Sequence, residues 1–235
     1  MHLRTIALHT LGASLLAIGT QASASFAVLP DVTRYDTEAS FTSAHPGVGF
    51  ESFESVAGRL PGAGAVPVGG FTVTPQGGAQ LGVQTSATTP QDGFGSSATH
   101  GSRYLFSYLA NQPTGTLRFD FAAPTTAFGL NLTDIGEVAG EIQLQTDTSG
   151  QALPVVVRSF GSGNLLSNGS VLFIGLSQDV PFSSLTLTIT GVDDAYGLDK
   201  VYVQSVPEPG EWALMLAGLV PLVGIARRRR QVALR

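Results

Sequence analysis

The sequence predicts an all-β domain, a β-sandwich of jelly-roll type, flanked by an N-terminal signal peptide and a C-terminal transmembrane helix. The middle of the chain consists of short alternating or apolar runs, with almost no helical periodicity. Glycine, proline, asparagine and aspartate break these runs, and the chain contains 29 glycines and 13 prolines in 235 residues. About ten to twelve short strands at this spacing are typical of two packed antiparallel sheets.

The predicted strands follow one another along the middle of the chain. In 104–109 the aromatic residues Tyr104, Phe106 and Tyr108 share one face, and in 184–190 leucine and isoleucine alternate with serine and threonine. The strands whose bounds the sequence suggests are 71–74, 104–109, 116–121, 127–133, 141–146, 154–159, 171–176, 184–190 and 198–204. A parallel β-helix is the alternative architecture, but the sequence shows no fixed internal period.

Two long connections and a leading segment complete the predicted domain. The Gly/Pro-rich stretch 58–70 and the polar, glycine-rich stretch 84–101 predict long loops, which either carry a binding site or are simply mobile. Residues 31–46 predict a leading segment that packs on the sheets. Residues 25–205 are long enough for one sizeable domain, so we expect a single one.

The N-terminus has the pattern of a secretory signal peptide over residues 1–24. Arg4 lies in a short positive region, residues 11–18 form an apolar core, and Ala22-Ser23-Ala24 is a small-residue cleavage site. An uncleaved membrane anchor is the alternative. The pattern predicts a mature chain that begins near Ser25.

The C-terminal residues 206–235 have the composition of a membrane tail. Residues 212–226 carry no charge and would span roughly 23 Å as a helix, against about 30 Å of bilayer hydrocarbon. Arginines at 227–230 can snorkel at one interface and Trp212 can lie at the other. The basic run favours the cytoplasm, which leaves the preceding domain outside. A buried C-terminal helix of a soluble domain is the alternative interpretation.

The tail resembles the PEP-CTERM sorting signal of Gram-negative bacteria, because a Pro-Glu-Pro motif precedes the apolar run and its basic end. The resemblance covers about 30 residues and rests on the motif, the apolar span, its basic end and its position at the C-terminus. It implies processing by the membrane protease exosortase, transient anchoring in the inner membrane, and delivery to the cell surface or extracellular matrix. The residues to which the resemblance assigns sorting are Pro207, Glu208, Pro209, Arg227, Arg228, Arg229 and Arg230. Residues 128–136 and 196–201 also resemble domains found on such proteins.

The charge of residues 25–205 limits the possible partners. This segment holds fifteen acidic and six basic residues, so nucleic acid is not expected to bind. Divalent cations and cation-bridged acidic polymers suit such a surface. The chain contains no cysteine, which excludes disulfides, thiol nucleophiles and cysteine-ligated zinc.

Acidic residues near the two ends of the domain predict a structural calcium site. Glu51 and Glu54 come near its start, and Asp193 and Asp199 come near its end. The first and last strands of a sandwich often run side by side, which would bring these carboxylates together, and Ca²⁺ prefers carboxylate and carbonyl oxygens. The arrangement loosely resembles carbohydrate-binding-module jelly rolls. The alternative is a solvated, Asp-rich turn.

Few residues suit sugar binding or catalysis. The only tryptophan, Trp212, belongs to the tail, and the aromatic stripe in 104–109 suits a core, so Tyr35 and Tyr196 are the loop candidates for stacking on sugars. Asp92, Ser96, Ser97 and His100 are close in sequence but lack a Gly-x-Ser-x-Gly elbow.

The sequence therefore predicts a non-catalytic protein that is structural or adhesive in exopolysaccharide or biofilm. A carbohydrate-binding module that recognises a specific glycan is the alternative, and a surface hydrolase comes third.

Overall fold

The computed structural model describes residues 32–85, 96–108, 114–135, 141–149, 156–159, 170–190 and 195–206. The predicted signal peptide at 1–24 and the sorting tail from Pro207 onward lie outside these ranges, so both stay predictions. Within the described residues, no helix is long and apolar enough to cross a bilayer. The predicted span at 212–226 lies outside the described residues, so this finding does not test it.

The described residues form a mostly antiparallel β-structure with one short α-helix and a 3-10 turn at Asp147–Ser149. The helix α1 is Glu38–Ala44. The strands are β1 Val32–Tyr35, β2 Phe50–Glu51, β3 Arg59–Gly62, β4 Val66–Val68, β5 Phe71–Gln76, β6 Gln80–Thr85, β7 Arg103–Tyr108, β8 Thr114–Thr133, β9 Glu141–Thr146, β10 Val156–Ser159, β11 Val171–Thr190 and β12 Ala195–Ser205. The predicted all-β sandwich of jelly-roll type is confirmed.

Two long strands, β8 and β11, run through both sheets of the sandwich. The first half of β8 pairs with β5 and with the second half of β11, and the second half of β8 pairs with β12 and with the first half of β11. The register shifts between Ser177 and Ser184 of β11, opposite the segment of β8 that contains Pro124. Proline cannot donate to a ladder, and bulges bend strands, so both strands turn at this level.

The bends divide the ladder into two sheets. The first sheet has the order β4-β5-β8-β11-β9-β10, and the second has the order β1-β11-β8-β12-β7-β6-β3. Strand β2 pairs with β12 beyond the end of β7. Strand β12 is the last strand in sequence, yet it lies inside the second sheet.

The main core lies between the two sheets and is built mainly of aliphatic and phenylalanine side chains. Leu117 and Phe119 from the first half of β8 belong to the same buried cluster as Leu130 and Leu132 from its second half, and all four side chains are fully buried. Burying a leucine or phenylalanine side chain stabilises a fold by about 1.5–3 kcal/mol. This core therefore supplies most of the stability of a domain without disulfides.

The opposite face of the second sheet, here called the outer face, is also covered. The helix α1 begins at Thr37, whose side chain accepts from the Ser40 amide at 3.2 Å, and it places the fully buried Phe41 on this face. Gly129 and Gly175 leave room for the aromatic rings on this face. A Cβ would meet the Phe173 ring at 2.7 Å from position 129 and at 3.1 Å from position 175. The predicted leading segment at 31–46 is thus confirmed as a packed element.

Predicted and observed strands differ in several ways. Strands β1, β2 and β6 were not predicted from the sequence, and β6 extends into the predicted loop at 84–101. The predicted pairs 116–121 with 127–133, and 171–176 with 184–190, are joined in β8 and β11, because the chain bends without leaving the ladder. The prediction of one long loop over 58–70 was wrong, since that stretch contains β3 and β4. Its prolines are at sheet edges, where a missing N–H is tolerated.

Candidate functional site

A β-bulge in β12 places charged residues on the outer face. Leu198 and Val201 point into the main core, although a strict alternation would put them on opposite faces. The register against β8 shifts between Asp199 and Tyr202, and Lys200 has φ of +47°, which non-glycine residues seldom adopt. The extra residue is Lys200, and bulges of this kind often re-aim side chains at functional sites.

The carboxylate of Glu38, on α1, is the centre of a hydrogen-bonded polar cluster on this face. Lys200 Nζ donates to Glu38 Oε1 at 2.9 Å, and Asn131 Nδ2 donates to Oε2 at 3.0 Å. The Tyr202 hydroxyl also donates to Oε1. We call Glu38, Asn131, Lys200 and Tyr202 the polar cluster. It joins α1 to strands β8 and β12, which are more than ninety residues away in sequence.

The polar cluster keeps Glu38 charged. Partial burial opposes the charge, but hydrogen bonds from Tyr202, Asn131 and Lys200 outweigh it, so the pKa of Glu38 lies below its usual value. The same contacts act in the opposite direction on the phenol. Burial and the neighbouring Glu38 carboxylate raise the pKa of Tyr202, which therefore stays a donor.

The carboxylate of Asp199 fastens the segment that precedes β7 to the outer face. Its Oδ2 accepts from the Thr99 amide at 2.6 Å, the Thr99 hydroxyl at 3.0 Å and the His100 amide at 2.7 Å. Its Oδ1 accepts from the Lys200 amide at 2.7 Å. Burial raises the pKa of Asp199, although these hydrogen bonds favour the charged form. Asp199 is thus an anchor for backbone amides.

A second carboxylate, Glu54, holds the turn that follows this segment. Glu54 Oε1 accepts from the Ser102 amide at 2.7 Å and from the Arg103 amide at 2.6 Å. These two amides lower the pKa of Glu54. Position 101 requires glycine, because φ is +66° and a Cβ there would lie 2.4 Å from Glu54 Oε1. Asp199 and Glu54 together hold residues 99–103 in place.

Phe50 is an exposed aromatic ring at the edge of the polar cluster. It is 41% exposed, although it lies opposite the buried Tyr202 in the ladder. Its ring centroid is 5.0 Å from that of His100 and 5.4 Å from that of Tyr202. Lys200 Nζ lies over the ring at 5.6 Å from the centroid, within the range of a cation–π contact. We call Phe50 with the polar cluster and His100 the outer-face site.

A shallow groove adjoins Phe50 on the other side of β2. Its volume is about 250 Å³ and its walls are mainly apolar. Its lining residues are Gly49, Phe50, Glu51, Gly70, Phe71, Val201 and Val203. Phe50 is therefore a wall shared by the groove and the outer-face site.

The residues predicted to bind calcium are only partly brought together. Strand β2 does pair with β12, with Glu51 opposite Val201, so the predicted adjacency of the first and last parts of the domain is confirmed. Glu51 accepts from the Phe53 amide at 2.7 Å, and Glu54 and Asp199 accept from the amides named above. Asp193 lies outside the described residues. Among the residues that are described, no three His, Asp or Glu side chains are grouped as a metal site requires.

The sequence-based choice of Tyr196 for sugar stacking was wrong. Tyr196 is fully buried in the main core, and burial raises its pKa to about 12. Tyr35 packs edge-on against Phe41 and His45 instead of forming an open platform. The stripe of Tyr104, Phe106 and Tyr108 packs around Ala195 in a smaller core cluster, as expected of a buried stripe.

Sequence reasoning missed Phe50, Glu38 and Lys200 as site residues. Phe50 and Phe53 look equivalent in the sequence, yet the first is exposed and the second is fully buried. The described contacts also leave the serine–histidine idea without a pair. The Ser96 hydroxyl is 3.3 Å from the Tyr104 hydroxyl, while the His100 ring packs on Phe50.

Comparison with known proteins gives similarities in fold only. No protein-family model matches the chain, and no curated protein matches it. Among solved structures, the K2 adhesin domain of Lys-gingipain matches with 13% identity and a TM-score of 0.48, over 68% of this chain and 99% of that one. A family 29 carbohydrate-binding module matches with 12% identity and a TM-score of 0.37, over 74% and 92%.

The xylan-binding CBM22-1 domain of Paenibacillus barcinonensis Xyn10C matches with 14% identity and a TM-score of 0.37, over 58% of this chain and 86% of that one. At these values the similarities carry no argument about function. The all-β sandwich is established by its strand pairing, and its function has to be argued from the site.

Proposed function

We propose that this chain is an exported protein of the cell surface or extracellular matrix whose β-sandwich binds polysaccharide without turning it over. The observation that carries the binding role is the half-exposed Phe50 ring beside Glu38 and Lys200. An apolar aromatic surface with a few fixed donors and acceptors is the usual composition of a small-molecule site. Strands hold all of these groups except Glu38, which α1 supplies.

The export part of the proposal rests on the two ends of the sequence. The pattern at 1–24 is that of a signal peptide, and Pro207-Glu208-Pro209 with the apolar run and the arginines resembles an exosortase substrate. The chain would be held transiently in the inner membrane and then delivered to the surface or matrix. Intact-mass analysis of the protein from the cells that make it tests this. A C-terminus near residues 207–209 supports processing, and a mass that retains 212–235 contradicts it.

The binding part is tested by saturation. A module that recognises a specific glycan gives a saturable isotherm with defined oligosaccharides. A purely structural or adhesive matrix protein is retained by polysaccharide without a saturable site for any oligosaccharide. Isothermal titration of the full-length chain, purified in mild detergent, separates these two roles. Retention by no polysaccharide contradicts the binding function.

Structural calcium at Glu51, Glu54, Asp193 and Asp199 is a separate proposal. Its support is the acidic composition and the observed pairing of β2 with β12. A bound metal stabilises the folded state by an amount that grows with the logarithm of its concentration relative to Kd, about 2.7 kcal/mol at a hundredfold excess. The melting temperature should then be higher in excess CaCl₂ than in EDTA. Equal melting temperatures mean that these carboxylates hold no stabilising metal.

A further inference from the structure

We infer that the outer-face site recognises an uncharged hexopyranose unit of a polysaccharide, by stacking on Phe50 and hydrogen bonding to Glu38 and Lys200, without calcium. The inference rests on the proposed function and adds the chemical class of the ligand. It also separates this site from any bridging of acidic polymers by calcium.

The first step of the argument is that the Phe50 ring is held in place before any ligand arrives. Three side chains contact it: His100 edge-on, Tyr202 at a tilt, and Lys200 over the ring. Tyr202 and Lys200 are in turn held by hydrogen bonds to Glu38. The exposed part of the ring is therefore a pre-organised apolar platform, which lowers the entropic cost of binding. The C–H face of a pyranose is an apolar surface of matching kind.

The second step is that the polar cluster keeps unused hydrogen-bonding capacity next to this ring. A carboxylate offers about four lone-pair positions, and Glu38 receives Lys200 and Tyr202 on Oε1 but only Asn131 on Oε2. The Lys200 ammonium has further N–H groups beyond the one directed at Glu38. Neither side chain is sealed, since Lys200 is 21% and Glu38 33% exposed. An acceptor and a donor side by side match neighbouring sugar hydroxyls, each of which can donate and accept.

The third step is that the charges disfavour anionic sugars. Lys200 is paired with Glu38, and Arg103 lies close enough to Glu54 to favour its charged form. Among the described residues, Asp199 and Glu51 have no cationic partner. A uronate or sulfate would therefore meet excess negative charge and no uncommitted cation. An uncharged sugar meets neither obstacle.

The fourth step concerns calcium. The carboxylates around the site already accept from backbone N–H and hydroxyl donors: four donors on Asp199 and three on Glu54. Five of these seven donors are backbone N–H groups, which present hydrogens and cannot ligate a cation. A calcium bridge to an acidic polymer would have to displace them, whereas a hexopyranose on Phe50 leaves them intact. Binding of an uncharged polymer should therefore persist in EDTA.

Affinity electrophoresis of the full-length chain in mild detergent tests the inference. The gels contain either an uncharged hexopyranose polymer (β-glucan, galactan or mannan) or an acidic one (alginate or polygalacturonate), each with EDTA or with CaCl₂. We expect at least one uncharged polymer to retard the chain equally with EDTA and with CaCl₂. The acidic polymers should not retard it.

Three variants assign that retardation to the site. Phe50→Leu keeps apolar bulk against Tyr202 but removes the ring face, and it should weaken binding about tenfold. Phe50→Trp keeps a ring and should bind at least as tightly as the parent chain. Leu60→Ala removes another exposed apolar side chain, 86% exposed in β3, and should bind unchanged.

The possible failures are distinguishable. Retardation by acidic polymers only, or by an uncharged polymer with equal strength in Phe50→Leu, overturns the inference and leaves polysaccharide binding in place. Retardation that requires CaCl₂ also overturns it. Retardation by none of the polymers overturns the proposed binding function itself.

Discussion

The two faces of the second sheet differ in what holds them, and strand β12 shows the difference in consecutive residues. Leu198 lies in the main core among other hydrocarbon side chains, while Asp199 lies on the outer face and accepts four hydrogen bonds. The inner face is stabilised by burial, which depends on the apolar area removed from water and not on direction. The outer face depends on directed contacts. A substitution on the inner face should therefore have the larger effect on stability, and one on the outer face should have a smaller effect that comes from the loss of a particular contact.

Truncating the inner face should have the largest effect. Leu198→Ala removes buried methyl groups and leaves a cavity, so we expect a loss of about 2–5 kcal/mol in the free energy of unfolding. Urea denaturation followed by circular dichroism measures it. Val203→Ala, at a partly buried position on the same face, is the matched control and should cost less. A loss under about 1 kcal/mol for Leu198→Ala would mean that the core relaxes around the gap.

Removing the anchor on the outer face should come next. Asp199→Ala leaves the amides of Thr99, His100 and Lys200 without their acceptor, at a cost of about 1–3 kcal/mol. Asp199→Asn retains one side-chain oxygen and should lose less. Hydrogen exchange should accelerate more at Thr99 and His100 than at the core amides in the alanine variant. Equal exchange in both variants would show that other contacts hold this segment.

Acid should weaken the outer face before the inner one. Glu38 and Glu54 have folded-state pKa values below the ordinary 4.5, so each contributes stability that is present above 4.5 and lost as pH falls through its lowered value. Asp199 has the opposite sign, because its pKa is raised above 3.8 and its contribution is lost as pH rises through the raised value. Melting temperature measured against pH should therefore fall below about pH 4.5.

The double variant Glu38→Gln/Glu54→Gln isolates the carboxylates responsible for that acid loss. Its melting temperature should depend less on pH below about 4.5 than that of the parent chain. Leu60→Ala, at an exposed position that carries no titratable group, should leave the slope unchanged and serves as the control. An unaltered slope in the double variant would assign the acid loss to other groups.

Removing the exposed ring should have the smallest effect on stability. Phe50→Leu changes a side chain that is 41% exposed and leaves Tyr202 covered, so the free energy of unfolding should change by less than about 1 kcal/mol. Thermal unfolding measured with the Leu198→Ala variant in the same buffer gives the comparison. A large loss at Phe50 would make it a packing residue and would weaken its assignment to a binding site.

The sequence predicts the inner face well, because burial leaves a period of two in the strands. The alternation in Ser184–Thr190 and the apolar run from Val171 survive in β11, and the predicted bounds of β9 match those observed. The pairing of β2 with β12 was also foreseeable, from the general habit of sandwiches to place their ends side by side. The alternation and the strand bounds are properties that each strand carries in its own residues.

The outer-face site could not be predicted in the same way, because no single segment contains it. Glu38 and Lys200 are 162 residues apart, and their contact requires α1 to lie on the sheet. The bulge at Lys200 shifts the side-chain alternation of β12, so counting residues from Leu198 puts Val201 and Tyr202 on the wrong faces. The exposure of Phe50 could not be predicted either, because it depends on which part of the ring α1 and β12 leave uncovered.

The place of β12 in the second sheet also sets an order of events in biosynthesis. The chain is made from its N-terminus, yet β12 supplies the ladder partner of both β7 and β8 and the carboxylate that anchors residues 99 and 100. Until residues 195–205 have been made, β7 and β8 each keep an open edge, which is prone to pair with other chains. The Pro-Glu-Pro motif begins two residues after β12 ends. Completion of the sandwich and synthesis of the proposed sorting motif are therefore nearly simultaneous in a growing chain.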